Sequence, residues 1–309
     1  MKHLIKTISL LLLLCGAVNV QAALRVVTTT EDLAAIAREI GGPAIEVESL
    51  TPSTRDPHFA EAKPSMIRKV YRADLLILIG ADMEIGWLPP LLQSARNSRV
   101  QGGNSGFLDI STEIPLLGKM SGPVSRAMGD VHAKGNPHYW LDPRNGILMA
   151  RAIAARLSEL DHEHSADYQT RLASFEERLK QKIVDWQTSL APLKGQAVIA
   201  YHTSFIYLAD AFNFTIADEV EPKPGISPGA SHLNHLVSRI KREKIGILIM
   251  EPYYEQRSSR YLNEQTDIQI AVLPQSVGAR PDVKNYFDLF DRIVAILSEA
   301  QSKLKTGAQ

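Results

Sequence analysis

The sequence contains a single cysteine in 309 residues, and this scarcity limits the chemistry open to the protein. Cys15 follows Leu14, whereas the anchored cysteine of a bacterial lipoprotein follows a small residue, so we do not expect lipid anchoring. Because Cys15 also lies in an N-terminal leader, the mature protein is expected to have neither thiol nor disulfide. Any metal site in it must then use nitrogen and oxygen ligands.

The leader is the one long apolar run in the chain. Lys2 and Lys6 precede an apolar stretch from Ile8 to Val18, and "VQA" ending at Ala22 supplies small residues for cleavage. This pattern predicts a secretory signal peptide, residues 1–22, with cleavage after Ala22, and it is too short for a membrane span. We therefore expect a periplasmic product with no stable membrane insertion.

An excess of either charge is also absent. The chain has 34 basic and 34 acidic residues, and removal of Lys2 and Lys6 leaves 32 basic against 34 acidic. A nearly neutral chain without a basic stripe gives no reason to expect a nucleic-acid partner. We expect a monomer.

Common catalytic motifs are missing as well. The sequence has no His-Glu-x-x-His helix, no Gly-x-Ser-x-Gly elbow, no Walker loop and no dinucleotide fingerprint. Distant residues could still supply a general base, so a zinc hydrolase remains an alternative at this point.

Short β-branched runs alternate with segments of helical periodicity, which is typical of βα units around a parallel sheet. This predicts an α/β fold with two similar lobes, each a mostly parallel four-stranded sheet flanked by helices. The predicted strands are 25–29, 45–50, 75–80 and 107–111 in the first lobe, and 197–201, 214–219, 245–250 and 268–273 in the second.

A long helix is predicted between the lobes. Its apolar residues recur every three or four positions: Tyr168, Leu172, Phe175, Leu179, Ile183, Trp186 and Leu190. Roughly 25 residues at about 1.5 Å each give a rod long enough to span both lobes and to resist hinge motion, although an ordinary surface helix has the same periodicity. The predicted division is 23–143 for the first lobe, 144–190 for the helical connection and 191–309 for the second lobe.

Three histidines follow predicted strands. His58 lies after strand 45–50, His138 after strand 107–111, and His202 directly after strand 197–201. Because parallel sheets open their ligand crevice at the carboxyl edge, these imidazoles can meet between the lobes and suit zinc. Their spacing alone is equally compatible with three unrelated histidines.

The local context favours a site. Pro57 and Pro137 stiffen the loops before His58 and His138, which lowers the entropy lost on metal binding. Asp142 is a candidate to hold the second nitrogen of an imidazole. The neighbouring Tyr139 and Trp140 either wall the site from solvent or simply pack in the core.

Several blocks resemble one family, the periplasmic metal-binding proteins of ABC transporters that deliver zinc or manganese (cluster A-I). The segments "DPHFAEAKPSMIRKVYRADLLILIGADME", "GNPHYWLDPRN" and "YHTSFIYLADAF" resemble its three ligand blocks, in the same order. "EPKPGISPGASHL" and "IMEPYYE" are similar to segments of zinc-type members. The resemblance covers essentially the whole mature chain.

The resemblance implies that His58, His138 and His202 are metal ligands and that Zn²⁺ is the transported cargo. A histidine at the third position, where manganese-type members have a carboxylate, favours zinc. The implied partners are a membrane permease and its cytoplasmic ATPase, and the implied function is transport and not catalysis. A carrier of the same type for manganese or another divalent metal is the alternative.

The fourth ligand is left open. Many family members have an aspartate where this chain has Gln275, so water, Glu251 and Asp282 are further candidates. We expect His132 to be a solvated loop histidine, with transient metal capture as the alternative. A cleft for a chelated metal or organic ligand would need cations, and Arg55, Arg144 and Lys223 form no cluster in the sequence.

Four further histidines, His162, His164, His232 and His235, are expected at the surface. Since imidazole must be neutral to bind metal, affinity is expected to weaken as the pH falls through about 6.5.

Overall fold

A computed structural model describes residues 22–120 and 132–306. The predicted signal peptide, apart from Ala22, lies outside the described residues, as does Cys15. No helix within the described ranges is both long and apolar enough to cross a membrane.

The elements alternate between strand and helix through both halves. The strands are β1 (Leu24–Thr28), β2 (Ile45–Ser49), β3 (Leu75–Leu78), β4 (Phe107–Asp109), β5 (Ala197–Ala200), β6 (Thr215–Glu219), β7 (Ile247–Met250) and β8 (Gln269–Val272). The helices are α1 (Glu31–Gly41), α2 (Pro64–Arg72), α3 (Leu88–Ala95), α4 (Pro143–Leu160), α5 (Ser165–Ser189), α6 (Ile206–Phe212), α7 (Ala230–Glu243), α8 (Arg257–Thr266) and α9 (Tyr286–Thr306).

The strands form two parallel four-stranded sheets. Their orders are β2-β1-β3-β4 and β6-β5-β7-β8, so the two lobes repeat one topology. The inner strands β3 and β7 have the sequences LLIL and ILIM and are buried throughout, because helices cover both sheet faces. The predicted fold class is confirmed.

The long helix α5 joins the two lobes. It buries Tyr168, Phe175, Leu179 and Trp186 on one side and packs against α4, α1 and α9. Its Arg178 pairs with Glu39 of α1, and the indole nitrogen of Trp186 donates to Asp291 of α9 at 2.7 Å. The helix is therefore fixed to elements of both lobes.

One hydrophobic core runs across the boundary between the lobes. Val26 and Ile77 of the first sheet belong to the same cluster as Val198 and Ile249 of the second. Gly146 in α4 permits a close approach, since a Cβ there would lie 2.5 Å from the Cε1 atom of Tyr286. A continuous core resists wide separation of the lobes because such motion would expose apolar surface.

Buried hydrogen bonds reinforce the same seam. The Trp140 indole donates to the carbonyl of Gln275 at 2.8 Å. The carboxylate of Asp32, at the start of α1, accepts from the Ser276 hydroxyl at 2.7 Å and from the Val277 amide at 2.9 Å. The segment that follows β8 is thereby attached to the first lobe.

Candidate metal site between the lobes

His58 lies in a short helical turn, Pro57–Phe59, beyond the carboxyl end of β2. Asp56 Oδ1 accepts both the His58 backbone amide, at 2.9 Å, and the ring Nδ1, at 2.6 Å. The Trp87 indole donates to the carbonyl of Pro57 at 3.0 Å. The imidazole is thus fixed at the backbone and at one ring nitrogen, with 7% of its side chain exposed.

His138 is held in the same way. Asn136 Oδ1 accepts the His138 backbone amide and the ring Nδ1, both at 2.9 Å. The Asn136 amide group also donates to the carbonyl of Thr203 at 2.8 Å, which links this loop to the residue after His202. The other ring nitrogen of His138, Nε2, is buried and has no hydrogen-bond partner among the described residues.

His202 follows β5 directly and is 4% exposed. Its Nδ1 pairs with Glu221 Oε2 at 2.7 Å, and the same oxygen accepts the Gly225 amide at 2.8 Å. Tyr254 packs beside the imidazole, with ring centroids 5.8 Å apart. The carboxylate therefore joins His202 to the loop that begins at Glu221.

The three rings come together where the sheets end. Ring centroids are 5.0 Å apart for His58 and His138, 5.6 Å for His138 and His202, and 6.0 Å for His58 and His202. Within residues 22–120 and 132–306, however, no group of three or more His, Cys, Asp or Glu side chains could hold a metal ion as placed. Joint coordination would therefore need some of these side chains to rotate.

The hydrogen bonds select one tautomer. An ionised carboxylate can only accept, so Asp56 and Glu221 receive Nδ1–H from His58 and His202. Asn136 Oδ1 already accepts a backbone amide and is the carbonyl oxygen, so it receives Nδ1–H from His138. Each neutral ring then has its lone pair on Nε2, the arrangement that oxygen acceptors behind metal-binding histidines produce.

His132 is a fourth imidazole in this cluster. Its Nε2 lies 3.1 Å from His58 Nε2, and the ring centroids are 5.1 Å apart. The expectation that His132 is a solvated loop histidine is wrong, since its Nδ1 is buried without a partner among the described residues. Burial, with repulsion from His58 and His202, lowers the pKa of His132 to about 3.

The pKa values of His138 and His202 are shifted in opposite directions. Burial, with repulsion from the neighbouring imidazoles, holds the pKa of His138 well below 6.5, so this ring is neutral. Burial also acts to lower the pKa of His202, but the hydrogen bond to Glu221 and the charges of Glu251, Glu221 and Asp56 outweigh it and raise the pKa. As the pH falls, His202 is therefore protonated before His138.

The three protein candidates for a fourth ligand have different surroundings. Glu251 is fully buried, and neither of its carboxylate oxygens is hydrogen bonded within the described part of the chain. The nearby Ser204 hydroxyl acts to lower the pKa of Glu251, although the two groups do not have the geometry of a hydrogen bond. Burial still raises the pKa of Glu251 to about 7. Gln275 is buried, and its backbone carbonyl accepts from the Trp140 indole, whereas the half-exposed Asp282 pairs with Arg280 and Arg292.

Asp142 does not hold an imidazole, so that prediction is wrong. It is the N-cap residue directly before α4, where its carboxylate accepts the Arg144 amide at 2.8 Å and pairs with the Arg144 guanidinium. An Asp-Pro pair at the start of a helical segment is itself a capping pattern. Tyr139 and Trp140 are both buried, and the Trp140 ring lies 5.3 Å from the His138 ring, so they pack in the core and also wall the site.

The remaining histidines lie away from the three rings. His162 and His235 are exposed, as expected. His164 pairs with Asp161 at 2.7 Å, and His232 Nε2 contacts the carbonyl of Glu219 at 2.9 Å, so both are only partly exposed.

Sequence reasoning missed the side chains that orient the rings. Asp56 and Asn136 each stand two residues before a histidine, in "DPH" and "NPH", and this repeated pattern could have identified both. Glu221 lies 19 residues from His202 and reaches it only because β5 and β6 are neighbours.

Two parallel α/β lobes with a histidine cluster between them have the architecture of a substrate-binding protein for a metal ion. Residues 26–300 match the family ZnuA, described as the periplasmic component A of a zinc-uptake complex, and the chain belongs to this family. It is therefore a substrate-binding protein of metal ABC transport and not an enzyme, which excludes the hydrolase alternative.

Relatives of both metal types are similar to the chain. The high-affinity zinc uptake system protein ZnuA of Yersinia pestis is 26% identical over 299 residues, covering 91% of this chain and 92% of that protein. The manganese ABC transporter substrate-binding lipoprotein scaA of Streptococcus gordonii is 25% identical over 288 residues, covering 91% and 89%.

Solved structures share the fold. A crystal structure of ZnuA superposes with a TM-score of 0.75 at 23% identity, covering 90% of this chain and 99% of that one. A manganese-bound periplasmic metal-binding protein from candidatus liberibacter asiaticus gives 0.72 at 18% identity, again covering 90% of this chain and 99% of that one. At these identities the likeness establishes the fold alone.

Proposed function

We propose that this protein captures Zn²⁺ in the cleft between its lobes, with His58, His138 and His202 as ligands, and delivers it to an ABC-type permease. The observation that carries the proposal is the matched orientation of three neighbouring imidazoles. Each ring has Nδ1 on a side-chain oxygen, from Asp56, Asn136 or Glu221, and this leaves Nε2 for a metal.

Zinc is favoured over manganese by the donor type. Zn²⁺ is borderline in softness and commonly binds imidazole, whereas carboxylate and water ligands suit Mn²⁺. Three nitrogen donors therefore support zinc. The alternative is a manganese carrier, which is supported by relatives such as the manganese lipoprotein of Streptococcus gordonii.

One of the three Nε2 lone pairs proposed for zinc, that of His58, is already hydrogen bonded. In the neutral tautomer His58 Nε2 is an acceptor, so His132 donates its Nε2–H to it at 3.1 Å. Zinc must replace this hydrogen bond to reach His58. Capture therefore requires His132 to withdraw or to turn its lone pair towards the ion.

Release to the permease, powered by its ATPase, is expected to use local loop displacement. The continuous core and the attachment of α5 to both lobes oppose wide hinge opening. We further propose secretion by the signal peptide with cleavage after Ala22, a periplasmic location, and the division into lobes 23–143 and 191–309 around the connection 144–190.

The test is a metal titration of the purified mature protein, in which zinc and manganese compete with a chelator of known affinity. We expect one zinc ion per chain, bound more tightly than manganese. Replacing His58, His138 or His202 with Ala should weaken zinc binding at least about tenfold, because each removes a metal ligand.

The matched control is His235→Ala, since 59% of the His235 side chain is exposed. This variant should bind zinc like the wild type. If His202→Ala also bound zinc like the wild type, a site shared by the two lobes would be excluded. Tighter binding of manganese than of zinc would favour the alternative carrier.

A further inference from the structure

Glu251 is a buried carboxylate next to His202 whose oxygens make no hydrogen bond within the part of the chain that the structure describes. It follows β7 directly, and β7 pairs in parallel with β5, with Ala200 opposite Ile249. Tyr201 continues this pairing by donating its amide to the carbonyl of Ile249 at 2.8 Å. The backbone of His202 is extended, so the same register places His202 opposite Glu251.

Adjacent residues in neighbouring parallel strands point to the same face of the sheet. The Glu251 carboxylate and the His202 imidazole therefore leave the sheet side by side at its carboxyl edge. The charge of Glu251 acts on His202, and the charge of Asp56, beside His58, acts on Glu251. Glu251 is thus coupled electrostatically to His202 and to the Asp56 carboxylate that holds His58.

The other two carboxylates of the site have partners. Asp56 accepts from His58, and Glu221 accepts from His202 and Gly225. Glu251 is fully buried, yet neither of its oxygens has a hydrogen-bond partner among the described residues. A buried carboxylate without a partner is costly, and a divalent cation beside it would offset that cost.

The alternative donors are less suited to this position. The carboxylate of Asp282 is bound to two arginines, Arg280 and Arg292, at a half-exposed position. Gln275 carries a neutral amide, which is a weak ligand for zinc. His132 lies against His58 Nε2, where its N–H opposes a cation instead of binding it.

We propose that Glu251 supplies the fourth donor of the metal site, an oxygen that completes a tetrahedral set with His58, His138 and His202. This inference rests on the proposed function. Three imidazoles and one carboxylate form a closed tetrahedral zinc site. His132 then acts as a hydrogen-bond partner that leaves His58 when the ion enters.

The test compares Glu251→Gln with His132→Ala, using Glu264→Gln on the exposed surface of α8 as the matched control. Zinc affinity is measured by chelator competition, and X-ray absorption at the zinc edge counts the imidazole ligands. We expect three imidazoles and one oxygen in the wild type. Glu251→Gln should lose at least about tenfold in affinity, whereas His132→Ala should bind zinc at least as tightly as the wild type, because it removes the hydrogen bond that competes for His58 Nε2.

Four imidazoles in the wild type, or a Glu251→Gln variant that binds like Glu264→Gln, would overturn the role of Glu251. The proposed function would still stand if the His202→Ala variant lost binding. It would fail separately if the wild type itself bound no zinc. If Glu251→Gln does not fold, Glu251→Asp keeps the charge but withdraws the oxygen, and full affinity in that variant would overturn the inference.

Discussion

Asn136 connects the proposed ligands of the two lobes, and its replacement is the most informative perturbation of the ring orientation. Its side chain makes three hydrogen bonds: two to His138, through the backbone amide and Nδ1, and one to the carbonyl of Thr203. Asn136→Ala removes all three and leaves the His138 ring free to rotate. It also separates the His138 loop from the residue that follows His202.

The expected magnitudes follow from these contacts. Loss of a group that orients a metal-bound histidine costs roughly 10- to 100-fold in affinity, which corresponds to about 1.4–2.7 kcal/mol. Three partly buried hydrogen bonds at about 0.5–1 kcal/mol each also predict a loss of about 1.5–3 kcal/mol in the free energy of unfolding of the metal-free protein.

The assay combines chelator competition for zinc with denaturant unfolding of the metal-free protein. Asn136→Asp keeps both acceptor contacts to His138 and removes only the donor to Thr203, so its affinity should fall between those of wild type and Asn136→Ala. Lys134→Ala, at an exposed position in the same loop, is the control and should match the wild type. Wild-type affinity in Asn136→Ala, with binding lost in His138→Ala, would refute the claim that this amide orients the ring.

Two further predictions concern pH. In the wild type, protons compete with zinc for His202 at pH values above 6.5, the ordinary pKa of histidine. The reason is that the hydrogen bond to Glu221 and the nearby carboxylate charges outweigh the effect of burial and raise the pKa of His202. Glu221→Gln should therefore bind zinc about tenfold more weakly near neutral pH and shift acid release to lower pH; titrations from pH 5.5 to 8 with an unchanged profile would contradict this. Burial raises the pKa of Asp32 from 3.8 to about 7, so the folded protein keeps a proton that the unfolded chain loses, and this residue's contribution to stability falls as the pH rises through that range. Asp32→Asn should remove a slope of roughly 1.4 kcal/mol per pH unit between about pH 5 and 7, and identical slopes in denaturant unfolding would show that Asp32 does not titrate there.

Most of the fold could be predicted because its determinants are local. Buried parallel strands are continuous apolar runs, such as LLIL in β3 and ILIM in β7, and α5 shows its buried side as a stripe at intervals of three and four residues. The prediction for Asp142 is wrong for a local reason. Its carboxylate caps the helix that begins at Pro143 and is therefore not available to an imidazole.

The surroundings of the histidines could be predicted only in part. Asp56 and Asn136 each bind the histidine two positions later in the chain, so a short sequence pattern could predict their role. The contact between His132 and His58 joins residues that are 74 positions apart, so no short sequence pattern could predict it.

The sequence by itself determined the two α/β lobes and the position of His58, His138 and His202 at strand ends, since apolar periodicity and strand polarity act within short segments. Only the tertiary structure decided which groups surround those rings. Glu221 and Glu251 reach His202 through strand neighbours and strand register, and His132 contacts His58 although the two residues are 74 positions apart. These contacts depend on how distant segments pack, and packing is a property of the whole chain.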